Sequence, residues 1–281
     1  MNLISKLGVL TQTNYDSGSL GGLASVVHPV TEAGQHPLTI LQADKAVQTL
    51  VLTVQSIPKD TGAVAAAAGA VKDAAAANVP AALQIDLSAI VNAPGQLSAK
   101  LSELVVASSG YTMFHAPAGT SGFAAQLHAP GAADQPPVFD SRQLGNGDVF
   151  ATPVFRPGRY SVTNKVNNAQ AQLRVSYPVI SNTPYSPPEA FEVQLDQNGF
   201  QPNDIQLKPA QGVVFHISNT QARITIDLVE PDDGPPPAPA QVQAQAIPPS
   251  APGRILPDFR WVKPEPPEPP EPPEPPKTPG S

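Results

Sequence analysis

Histidines are the first residues to question for chemistry, because imidazole is the side chain that exchanges a proton or binds a metal near neutral pH. The chain has five: His28, His36, His115, His128 and His216. His115 and His128 each begin a His-Ala-Pro tripeptide at the end of a predicted strand, and a hairpin of those two strands would set the rings face to face. A metal needs a third ligand, for which only Met113 and Asp134 are at hand. The expectation is two turn-end histidines and no metal, with His115 and His128 the weak candidates if one binds. His216 alternates out of phase with Val213, Phe215 and Ile217, so it is expected to face outward or toward a partner.

Acidic residues suggest little more. Glu230, Asp232, Asp233 and Gly234 lack the regular oxygen spacing and closing glutamate of a calcium loop and read as a solvated turn. The sequence has no G-x-S-x-G elbow, phosphate-binding loop, dinucleotide glycine pattern or H-E-x-x-H. No enzyme and no cofactor are expected.

Composition sets wider bounds. A formal net charge of −7 without a basic cluster argues against nucleic acid or an anionic membrane as partner. With no cysteine, disulfides and thiolate chemistry are excluded together. The apolar run near the N-terminus is too short for a signal peptide, and the alanine run 63–71 is too short to span a bilayer, so no membrane insertion is expected.

The elements that would position any site are mostly strands. Residues 1–22 read as a terminal arm ending in a Gly/Ser-rich stretch. Strands are predicted at 23–27, 37–41 and 49–54, the last rich in β-branched residues. Asp60-Thr61 offers an N-cap to an alanine-rich helix over about 61–78, which can be held only by close approach to another surface. Residues 83–90 read as a strand and 96–106 as a short helix. Strands follow at 111–115, 123–128, 148–155, 159–163 and 171–177, divided by Gly- and Pro-bearing turns. Together, 23–180 is expected to form a β-sandwich, joined by the proline-stiffened linker 181–190 to a smaller β domain.

That smaller domain, 191–229, shows the clearest period of two: Phe191, Val193, Leu195; Ile205, Leu207; Val213, Phe215, Ile217; Ile224, Ile226, Leu228. Four strands are predicted. Asn198, Gly199, Phe200 and Pro202, then Lys208, Pro209 and Gly212, then Val213, Phe215, Ile217 and Asn219 form a pattern that resembles the first half of a cupredoxin-like sandwich. The alternative for this domain is an immunoglobulin-like sandwich. The resemblance implies a copper site of two histidines, a cysteine and usually a methionine. Here Thr220, Gln221, Ala222 and Arg223 stand where the first histidine would follow, and Asn164, after the turn Pro157-Gly158-Arg159-Tyr160, stands where the cysteine would be. The fold is therefore expected without the copper function.

Four strands cannot bury both faces of a sandwich, so something must complete this domain. Candidates are the preceding domain, the segment 254–262, or a strand from another copy. Residues 230–281 are a proline-rich extended tail ending in a Pro-Glu repeat of polyproline II character. It carries the only tryptophan, Trp261, with Phe259, Leu256 and Ile255 nearby. These four residues are expected either to tuck against their own domain or to anchor on a partner, and Phe191, Val193 and Leu195, or 224–228, to offer the edge that is completed.

The expectation is a mainly β protein of two β-sandwich domains, one Ala-rich helix and an extended tail. It is read as a structural subunit of a larger assembly, a virion or tail component or an extracellular filament, whose partners are copies of itself or other structural subunits. The alternative is a cupredoxin-derived cell-surface module binding a metal, a glycan or a protein.

Overall fold

The computed structural model describes residues 11–56, 79–92, 104–117, 122–177 and 184–232. All belong to one compact unit, Met1–Ala238; the other unit, Pro239–Ser281, lies outside the described residues. In chain order the elements are β1 (Asn14–Asp16), β2 (Ser25–Val30), β3 (Gly34–Gln42), β4 (Lys45–Gln55), β5 (Ala82–Asp86), α1 (Leu87–Asn92), β6 (Leu104–Ala107), β7 (Gly110–His115), β8 (Phe123–Leu127) and β9 (Phe139–Asp140). Then come β10 (Val149–Val154), β11 (Gly158–Asn164), β12 (Gln170–Val175), β13 (Phe191–Asp196), β14 (Gly199–Gln201), β15 (Asp204–Leu207), β16 (Gln211–Ile217) and β17 (Ile224–Pro231). The protein is mainly β.

The strands make three sheets, ordered β1-β17-β11-β12-β15, β14-β13-β16-β10-β2-β7-β5 and β6-β4-β3-β8-β9. Most neighbours are antiparallel, but β12–β15, β13–β16, β4–β6 and β5–β7 run parallel. Alternation along each strand sends one set of side chains inward, and the buried residues of all three sheets form one cluster. Phe114, Phe150 and Phe215 are fully buried within it. Removing each such ring from water contributes about 1.5–3 kcal/mol.

Local chemistry explains several junctions. The β3–β4 hairpin closes on Ala43 and Asp44, both at positive φ (49° and 62°), as a two-residue turn matching strand twist requires. Asp86 caps α1, its Oδ1 accepting from the Ala89 N–H at 2.9 Å and the Ser88 hydroxyl at 2.6 Å. At the start of β11 the buried Tyr160 hydroxyl donates to the Arg156 carbonyl at 2.7 Å, the corner device of Greek-key sandwiches. Burial pushes that phenol up to about 12.

Several expectations need correction. Residues 14–20, expected in a terminal arm, are built into the core: Tyr15, Ser17 and Leu20 are buried, and β1 pairs with β17. The predicted strand 83–90 is β5 followed by α1, because the Asp86 cap stops the strand. Residues 104–107, expected to end a helix, form β6 beside β4. Residues 191–229 hold five strands rather than four, and these pair across the 181–190 linker: β16 with β10, β17 with β11 and β1, β15 with β12. The alanine-rich helix at 61–78 and the tail anchors Ile255, Leu256, Phe259 and Trp261 lie outside the described residues.

Candidate functional site

The seven-stranded sheet carries an anomaly on its outer face. Val26, Phe114, Phe150, Thr152, Val213 and Phe215 point inward and are buried. Their neighbours in sequence must then point out, and these should be polar if water covers that face. Instead, Val149, Val27 and Met113 follow one another across β10, β2 and β7 in register. Beside them run Val214 and Ala151 on one side and Pro29 and Tyr111 on the other. Tyr111 is 53 % exposed; the others are half-buried.

Around this apolar centre stands a polar rim. Glu192 and Gln194 on β13, and His216 on β16, close one end; Gln84 and Asp86 on β5, with His115, close the other. His216 Nε2 lies 4.0 Å from Glu192 Oε2. The centre of this face is thus apolar and its border polar.

The other histidines have structural duties. His28 Nδ1 lies 2.7 Å from Asp148 Oδ1, whose second oxygen accepts from the Gly145 N–H at 2.6 Å. A carboxylate only accepts, so Nδ1 carries the hydrogen. The His28 ring stacks on Phe139 at 4.3 Å, tying the seven-stranded sheet to the sheet of β9. His36 bridges two backbone carbonyls, those of His128 (2.9 Å) and Glu32 (2.8 Å). The expected hairpin of His115 and His128 does not form. β7 pairs with β2 and β5, while β8 pairs with β3 and β9 in another sheet, so nothing brings the two rings together as ligands. Among the described residues no group of three or more His, Asp or Glu is placed to hold a metal.

Other expected site residues fall as follows. Val193 and Leu195 are fully buried and Phe191 is half-buried against the core, so their side chains are committed inward. β13 is paired on both sides over 194–195, by β14 and β16, while 191–193 pair with β16 alone. Residues 224–228 are likewise flanked by β1 and β11. Glu230, from the acidic turn, receives the Arg159 guanidinium at 2.8 Å.

Asn164 and 220–223, the positions the cupredoxin resemblance singles out, do meet in space. Asn164 is fully buried, donates Nδ2 to the Gln221 carbonyl at 3.0 Å and accepts at Oδ1 from the N–H groups of Arg223 (3.0 Å) and Val166 (3.1 Å). The amide thus clamps two loops. Nearby, Arg223 Nη2 reaches Asp16 Oδ2 at 2.8 Å and Arg142 Nη2 reaches Asp140 Oδ2 at 2.7 Å. Burial pushes the Asp140 carboxyl up, but hydrogen bonds from Arg142 and Gln126 outweigh it and hold the group below its ordinary value.

The outer-face residues were missed in sequence because only their inward neighbours were read as the pattern. Their signal lay in the doubled apolars Val26-Val27, Val149-Phe150-Ala151 and Val213-Val214, which break alternation as strands covered on both faces do.

No family model, curated protein or solved structure matches this chain. No helix among the described residues is long and apolar enough to cross a membrane.

Proposed function

We propose that the chain is a structural subunit of a larger protein assembly, a virion or tail component or part of an extracellular filament. The observation that carries this reading is the apolar outer face of the seven-stranded sheet. A half-buried apolar face that carries an exposed tyrosine and is bordered by polar residues suits a surface that another protein covers. Its partners are copies of the same chain or other structural subunits. In this reading the long sheet serves two sandwiches, one with the sheet of β11 and β17 and one with the sheet of β3 and β8, and the proline-rich tail reaches neighbours.

The test is light scattering on the purified chain over a wide concentration range, beside Tyr111→Glu and Met113→Glu. Wild type is expected to form multimers and both variants to remain smaller. Variants that stay folded and assemble to the same size would remove the reading.

A second reading, a cupredoxin-derived binding module, is supported by the meeting of Asn164 with 221–223 and by the parallel pairs β12–β15 and β13–β16. Copper titration discriminates: a stoichiometric Cu(II) absorption band favours the module, and no band favours the assembly subunit.

A further inference from the structure

We propose that a groove on the sheet of β11, β12 and β15 receives the acidic proline-rich segment 264–276 of a second copy of this chain. The inference rests on the assembly reading and names one contact within it.

The groove has a volume of about 740 Å³ and is walled by Arg159, Ser161, Gln170, Gln172, Arg174 and Gln206 among others. Arg159 and Arg174 stand directly opposite each other on antiparallel strands. Like charges so placed repel, and an anion between them relieves the repulsion. Arg159 is partly answered by Glu230, but both side chains of that pair are more than half exposed (63 % and 59 %), so it exchanges readily. Arg174 is exposed and has no ion pair among the described residues. The groove's own acid, Asp204, is engaged at Oδ1 by Gln206 Nε2 at 2.8 Å. The other polar wall groups are carboxamides, guanidinium and hydroxyls able to donate, and Ala171, Leu173 and Val229 add apolar wall.

The segment is the chemical complement. Proline has no N–H, and a polyproline II chain makes no internal hydrogen bonds, so a Pro-Glu repeat presents carbonyl and carboxylate oxygens with few donors. Glu265, Glu268, Glu271 and Glu274 recur every third residue. A helix of three residues per turn sets such a repeat in one row, about 9 Å apart. Each of the four offers the same carboxylate to the arginine pair, so the docking tolerates shifts by one turn. The chain leaves β17 at Pro231, and Glu230, Pro231 and Asp232 line a smaller hollow of about 350 Å³ that shares Arg159 and Arg174 with the groove, so an incoming carboxylate competes with Glu230 and Asp232 for the arginine pair.

The experiment titrates a synthetic peptide of residues 263–277 into the full-length chain, with binding followed by calorimetry and assembly by light scattering. The peptide is expected to bind, to shrink multimers, and to weaken about tenfold in Arg174→Glu and less in Arg174→Gln. Binding is also expected to fade between about 50 mM and 500 mM salt as screening tightens. A peptide with every glutamate replaced by glutamine that binds equally well, or an Arg174→Glu chain that binds as wild type, overturns the inference. Multimers that respond to Tyr111→Glu but not to peptide or Arg174→Glu remove this contact and leave the assembly reading standing. A chain that is monomeric at every concentration removes the assembly reading itself.

Discussion

Asn164, at the end of β11, is a polar side chain buried in the described core. Its carboxamide holds one carbonyl and two N–H groups from two loops, at 3.0–3.1 Å, in a fully buried position. Asn164→Ala removes all three bonds at once. A buried backbone group left without a partner costs about 1–3 kcal/mol, yet Gln221 and Val166 are exposed residues whose freed groups water can reach. The Arg223 N–H bears most of the penalty, and the lost amide volume adds a small cavity. The expected loss is about 2–4 kcal/mol, a large share of the stability of a domain. Urea unfolding followed by tryptophan-independent circular dichroism measures it as a lowered midpoint at unchanged slope. Gln143→Ala, which removes an exposed bond to Gln221, serves as control and is expected to cost under about 0.5 kcal/mol. An Asn164→Ala loss below about 1 kcal/mol would refute the clamp.

Three further outcomes follow from the same structure. Tyr160 has a folded value of about 12, above the ordinary phenol, so its neutral form stabilises the fold fully below about pH 10 and this contribution is lost between about 10 and 12. Tyr160→Phe is expected to flatten that alkaline fall in a stability-versus-pH series while lowering stability at pH 7 by about 1 kcal/mol through the lost bond to Arg156. Asp140 lies below its ordinary value, so its contribution is present above about pH 4 and lost as pH falls lower. In Arg142→Met most of this contribution is removed, so the fall in stability below about pH 4 is expected to be shallower, and an unchanged acid limb would count against that pairing. Gly158→Ala is expected to destabilise by more than about 1 kcal/mol, seen as a lower thermal midpoint, because φ is 149° and a Cβ would meet the Glu230 carbonyl at 2.6 Å.

Much of the strand content was legible from period-two alternation: β7, β8, β10, β11, β12 and β16 fall within a residue or two of expectation. Boundaries failed where the deciding group was a cap or an uncommon turn. Asp86 stops β5 by capping α1, and Ala43-Asp44 closes a hairpin without the Asn-Gly or Gly signal that marks such turns. Pairing was not legible at all. β1 reaches β17 across two hundred residues, and no local pattern encodes which distant edge a three-residue strand will join. The outer-face residues were hidden for a related reason: doubled apolars fit a strand whichever face is taken as buried, and only register shows that Val27, Met113 and Val149 share a side. Asn164 was singled out for a cysteine it lacks, and its actual part, bonding two loops, depends on partners that folding brings together.

On the proposed reading, the face around Tyr111 and Met113 is covered when the protein assembles. Hydroxyl-radical footprinting, read by mass spectrometry at low and high protein concentration, tests it directly, since tyrosine and methionine are reactive where solvent reaches them. Covering predicts that modification of Tyr111 and Met113 falls severalfold at high concentration while exposed Tyr185 is unchanged. Equal modification of all three at both concentrations would contradict it.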